Sequence, residues 1–131
     1  MNNNKILKEI YLKPSYGFHI RELARKTNLN PNTVSKICDD LKKEKIIFKE
    51  KKKNIVEVRA DLESLEFIRK KRLFNLDLIY SSGLIDFLIK NYSPSAIVLI
   101  GSFSRGEDLE RSDIDLVVLT NKKERKNLVK F

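Results

Sequence analysis

The sequence predicts an α+β protein built of two small modules, and three observations carry that prediction. Apolar residues recur at helical spacing three times before residue 42, and two short runs rich in β-branched residues follow, joined by lysines. Beyond a long helical stretch, two continuous apolar runs flank a Gly-Ser pair and an Asp-Ile-Asp triplet. The resulting division is residues 1–60, a connector helix over 61–80, and a smaller module over 81–131 with a small sheet.

Ile6, Leu7, Ile10 and Tyr11 form the first apolar stripe, which Pro14, Ser15 and Gly17 end. Ile20, Leu23, Ala24 and Thr27 form the second, in a short helix over about 19–27. Asn28-Leu29-Asn30-Pro31 then turns the chain. Asn30 suits an N-cap and Pro31 the first helical position, and Val34, Ile37, Cys38 and Leu41 lie on one face of a third helix. Ile46-Ile47-Phe48-Lys49-Glu50 and Ile55-Val56-Glu57-Val58-Arg59 read as strands joined by the loop Lys51-Lys52-Lys53-Asn54.

Two short helices joined by a tight turn suit major-groove reading, with the start of the second nearest the bases. Asn32, Thr33, Ser35 and Lys36 point away from the apolar stripe there and offer hydrogen bonds to bases and phosphates. Asp39 and Asp40 suit a phosphate backbone poorly, so the reading end is the helix start. Lys51, Lys52 and Lys53 would meet phosphate from the hairpin. The stretch His19-Ile-Arg-Glu-Leu-Ala-Arg-Lys-Thr through Thr33-Val-Ser-Lys-Ile resembles the core of archaeal and bacterial winged helix-turn-helix regulators. That resemblance covers about 60 residues and implies double-stranded DNA as partner. Winged helices also serve as protein docking modules.

Charge agrees with this division. Residues 1–73 carry 19 Lys and Arg against 10 Asp and Glu, and residues 74–131 carry 8 against 8, so the whole excess of +9 lies in the first part. A basic half joined to a neutral one suggests a polyanion binder attached to a module with another task. The plainer alternative is a lysine-rich solvated surface, as in proteins of hot habitats, consistent with the absence of Gln. The single cysteine, Cys38, excludes an internal disulfide and a cysteine-built zinc site, and it belongs to an apolar stripe. His19 has no neighbouring ligands in sequence and reads as a helix start. Residues 1–10 carry no leader pattern and no apolar run approaches a membrane span, so the expected location is the cytoplasm.

Asp61 is the expected cap of the connector helix, which runs through Leu65, Ile68 and Arg69-Lys70-Lys71-Arg72 towards Ile79. The basic run is either a solvated face or a second phosphate contact, and the helix's apolar residues could instead pair two subunits as a homodimer. Ser81-Ser82-Gly83 interrupts the pattern. Leu84, Ile85, Leu88, Ile89 and Tyr92 then mark one face of a further helix that ends before Pro94. Ser95-Ala-Ile-Val-Leu-Ile100 reads as a strand covered on both faces, and Asp113-Ile-Asp-Leu-Val-Val-Leu119 as a second. Asp113 and Asp115, two residues apart on a strand, point to one side.

These residue types suit phosphate and a hard cation. Gly101 allows close backbone approach, Ser102 offers a hydroxyl and an amide, and Arg105 can add a cation. Asp113 and Asp115 supply oxygen ligands fit for Mg²⁺. The string Gly101-Ser102-Phe-Ser-Arg105-Gly-Glu-Asp-Leu-Glu-Arg-Ser112-Asp113-Ile-Asp115-Leu resembles the G-S-x10-D-x-D signature of minimal nucleotidyltransferases of the polymerase beta-like superfamily. The resemblance implies a nucleoside triphosphate held at Gly101, Ser102 and Arg105, with Asp113 and Asp115 as catalytic metal ligands.

The same resemblance implies a third carboxylate from a later strand, and after Leu119 the sole acid is Glu124, in the basic segment Lys122-Lys123-Glu-Arg-Lys126. A truncated module is therefore expected, its sheet completed by a partner protein, a further segment or the connector. Three functions follow. The first is a DNA-binding transcriptional regulator whose nucleotidyltransferase-like module binds nucleotide with little or no catalysis. The second is an active enzyme of the antitoxin type that transfers AMP from ATP to a partner protein and also binds DNA. The third is a winged helix that docks protein rather than DNA.

Overall fold

The three apolar stripes converge on one core. In the computed structural model, which describes residues 2–122, helix α1 (Asn2–Leu12) contributes Ile6, Leu7, Ile10 and Tyr11 to it, and all four are buried. Helix α2 (Ile20–Thr27) contributes Leu23 and Ala24, and α3 (Pro31–Lys43) contributes Val34, Ile37, Cys38 and Leu41. The turn between α2 and α3 is fixed at both ends. Asn28 adopts the left-handed conformation (φ 57°) at the end of α2, and the Asn30 side chain accepts from the Asn32 amide (2.8 Å) to start α3.

A three-stranded antiparallel sheet closes this core in the order β1 (Phe18–His19), β3 (Ile55–Ala60), β2 (Ile47–Lys52). His19 lies in β1, paired with Glu57, and caps α2, its amide donating to Glu22 Oε1. Lys51 and Lys52, expected in a loop, belong to β2 and pair with Val56 and Ile55. The loop shrinks to Lys53-Asn54, with Lys53 at φ 55°, because a two-residue connection with positive φ matches the twist of the strands. Ile47, Val58 and Ala60 face the core.

Helix α4 (Leu65–Ser81) begins later than expected. Ser64 is its cap, accepting from the Phe67 amide (3.3 Å), while Asp61 forms the preceding turn with the Glu63 amide. The face it buries also differs. Phe67, Lys71, Asn75 and Ile79 are buried at every fourth position, whereas Leu65 is 65 % exposed. Phe67 and Phe74 pack on Tyr11, with ring centroids 5.7 and 4.9 Å away, which joins α4 to the N-terminal core. Helix α5 (Leu84–Tyr92) buries Leu88 but leaves Ile89 exposed.

Strands β4 (Ala96–Ile100) and β5 (Asp115–Leu119) pair antiparallel as a two-stranded sheet, with the short helix α6 (Gly101–Arg105) following β4 directly. The expected cover on both faces is not found among the described residues. Val98, Ile100, Val117 and Leu119 are exposed on one face, while Ile97, Leu99, Leu116 and Val118 on the other are half-buried. An antiparallel pair can leave one face open, so a continuous apolar run did not require two-sided cover here. The segment around Glu124 lies outside the described residues. No helix among them is long and apolar enough to cross a membrane.

Candidate functional site

The ladder places Ile100 opposite Asp115, which brings the Gly-Ser turn to the acidic end of β5. Gly101 sits at φ 81°, a conformation glycine adopts freely, and an ideal Cβ on it would stand 2.7 Å from Asp115 Oδ2. The carboxylate thus occupies the space that any larger residue at 101 would claim. Asp115 is exposed and shares the open face of the sheet with Ile100 and Val117. Asp113 is exposed too, but it lies in the segment before β5 rather than in the strand, so its direction is not set by the pleat.

The turn is braced internally. Ser104 Oγ donates to the Gly101 carbonyl (2.6 Å), and the Glu107 amide donates to the Ser102 carbonyl (3.0 Å). Ser102 is half-buried. Arg105, expected beside the phosphates, instead pairs with Glu107 (3.2 Å) and lines a groove of about 820 Å³ together with Arg72 and Leu99. Leu99 points to the face of the sheet opposite Asp115. In the loop before Asp113, Ser112 Oγ accepts from the Leu109 amide (2.9 Å) and Glu110 accepts from the Ser15 amide and hydroxyl (3.0 and 2.8 Å).

Among the described residues, no three acidic, histidine or cysteine side chains cluster as a metal cage. Mg²⁺ does not need one, because it is commonly held by one or two carboxylates together with substrate phosphates. Asp113 and Asp115 are two exposed carboxylates on this stretch of the chain.

Sequence reasoning missed the polar cluster behind the turn. Lys71, in a run expected to be solvated, has a side chain only 3 % exposed and pairs with Asp108 Oδ2 at 2.7 Å. Its ammonium also donates to Asn75 Oδ1 (2.9 Å), and Asn75 Nδ2 donates to Asp108 Oδ1 (2.7 Å) and to the Phe103 carbonyl (2.9 Å). The four-residue spacing of Phe67, Lys71, Asn75 and Ile79 was the available signal, since residues so spaced share one helix face. Reading Leu65 and Ile68 as the apolar row obscured it.

The residues expected to meet DNA divide into two groups. Asn32 and Lys36 are exposed at the start of α3, and Thr33 is half-buried beside them. Ser35 is half-buried, and its hydroxyl and carbonyl accept from Lys49 Nζ (2.8 and 3.2 Å), which also pairs with Asp39 (2.7 Å), leaving the Ser35 O–H to donate elsewhere. The Lys49 hydrogen bond holds the Asp39 carboxyl below its ordinary range, against a weaker opposing effect of burial. Lys51, Lys52 and Lys53 are exposed at the hairpin tip, with Lys52 3.8 Å from Glu50.

Residues 81–131 match the family model described as a nucleotidyltransferase domain, which covers less than half of the chain. No curated protein and no solved structure matches the chain.

Proposed function

We propose that this protein binds duplex DNA through residues 1–60, as a winged helix-turn-helix, and binds a Mg²⁺-nucleoside triphosphate at residues 101–115. The observation that carries the second half is the close approach of Gly101 and Asp115. A glycine with positive φ, followed by Ser102, exposes backbone to a phosphate chain, and a carboxylate lies directly against it. Asp115 and Asp113 would hold the cation, which supplies neutralisation of the phosphate charge when bound. The Ser102 hydroxyl and amide would orient a phosphate oxygen.

Two carboxylates, Asp113 and Asp115, suffice to hold Mg²⁺ together with the phosphates of a nucleotide, which supports the binding reading. The N-terminal half of the proposal is supported by the tight α2–α3 turn, the exposed Asn32 and Lys36, and a hairpin tip carrying three lysines.

Calorimetric titration of the full chain with ATP, with and without Mg²⁺, tests the site: binding that needs Mg²⁺ and disappears in Asp115→Asn is expected. Heat unaffected by that substitution would remove the nucleotide reading. Titration with a random-sequence duplex at several salt concentrations tests the other half, and an affinity indifferent to salt would remove it.

A further inference from the structure

A helix that lies outside residues 81–131 holds the Gly-Ser turn from behind. Four features of α4 bear on residues 103–108. Lys71 pairs with Asp108, Asn75 bonds both Asp108 and the Phe103 carbonyl, and Arg72 Nε donates to the Ser104 carbonyl (3.2 Å). The fourth is backbone approach: a Cβ on Gly106, which sits at φ 72°, would lie 2.6 Å from the Ile68 carbonyl oxygen. Phe103 and Ser104 belong to the helix that Gly101 and Ser102 begin, and Asp108 lies on the path from it to Asp113.

Burial of an ion pair is a poor route to stability, since apolar residues of similar volume commonly serve as well or better. What directional bonds add is a single register between the parts they join. Here they join α4 to the segment between the Gly-Ser turn and the acidic pair, and every partner in the cluster is satisfied. A binding turn fixed before its ligand arrives avoids the cost of ordering it on binding, so loosening the cluster lowers affinity without touching a ligand contact.

We infer that Lys71, acting with Asn75 through Asp108 and the Phe103 carbonyl, is a positioning residue for the phosphate-binding turn, supplied by the connector helix. The inference rests on the nucleotide reading above for its ligand, and on the cluster alone for its geometry.

The test uses the full chain and two measurements, Mg²⁺-ATP affinity by calorimetry and amide hydrogen exchange. Lys71→Met/Asp108→Leu removes both charges together, so no buried charge is left unpaired. Asn75 keeps its bond to the Phe103 carbonyl but loses its Lys71 donor, so the thermal midpoint should fall modestly, while affinity falls at least tenfold and the amides of residues 101–108 exchange at least tenfold faster. Exchange in the hairpin, residues 47–60, should not change. A merely structural role would raise exchange in both regions together, or in neither, and either result overturns the inference, as does an unchanged affinity in a parent that binds. If the double variant does not fold, Asp108→Asn keeps the size of the side chain, turns one of its two acceptor oxygens into a donor so that the bond to Lys71 or to Asn75 is lost, and is read in the same way. If the parent chain binds no Mg²⁺-ATP, the nucleotide reading fails by itself. Faster exchange confined to 101–108 would still support the positioning role, and unaltered exchange would overturn it.

Discussion

Asp115 and Gly101 compete for one volume: the carboxylate oxygen stands 2.7 Å from where a side chain at 101 would begin. Gly101→Ala therefore combines a strained positive φ with displacement of the exposed Asp115 carboxylate from its position against the turn. The strain alone costs on the order of 1–3 kcal/mol. Loss of Mg²⁺-ATP binding and a lower denaturation midpoint are expected together, by calorimetry and urea melts. An alanine variant that binds like the parent would show that this close approach is not used.

The hairpin tip offers a separate prediction. Replacing Lys51, Lys52 and Lys53 with alanine should weaken duplex binding and lower the slope of log affinity against log salt by about 0.9 for each phosphate that is no longer neutralised. Because the three side chains are exposed, thermal stability should change little. An unchanged salt slope would assign duplex binding to another surface.

Phe67 ties α4 to the N-terminal core through Tyr11 and is 1 % exposed. Phe67→Ala should destabilise the chain by about 3–5 kcal/mol, the usual range for deleting a buried aromatic ring. Since α4 also braces the Gly-Ser turn, exchange protection at 101–108 should fall with that of the N-terminal helices. Selective loss in the N-terminal helices alone would mean that the two halves unfold independently.

Cys38 is fully buried, and desolvation pushes its thiol pKa up to about 11, with nearby Lys49 acting weakly in the opposite direction. At pH 8 only about one thiol in a thousand would be ionised, and that one would be inaccessible. Labelling by a disulfide reagent should be slow in the native chain and fast in guanidinium. Rapid native labelling would mean that α3 opens locally.

Glu110 reaches across to Ser15, and its carboxyl lies below its ordinary range. Burial opposes this shift, but hydrogen bonds from its own backbone and from the Ser15 hydroxyl and amide outweigh burial, aided by Lys13. A depressed carboxyl pKa contributes stability that is present above the unfolded-state value and lost as pH falls through the folded one. Glu110→Gln should therefore lower stability slightly in the neutral region and make the acid limb shallower, the two profiles converging at low pH. A profile that overlays the parent's at neutral pH as well would show the interaction to be energetically silent.

Local chemistry determined much of this protein. The stripes of α1, α2 and α3, the Asn30-Pro31 start of α3, the Ser-Ser-Gly break after α4 and the pairing that sets Asp115 beside the Gly-Ser turn all follow from periodicity, capping and strand pairing between near neighbours. Long-range packing decided the rest. Lys71 reads as solvated because its sequence neighbours are basic, and only Asp108, 37 residues away, makes its burial tolerable. Ser35 accepts from Lys49, which reaches it from β2, 14 residues further along the chain. A side chain's type states which bonds it can make, but the partner that takes them is set by how distant segments pack.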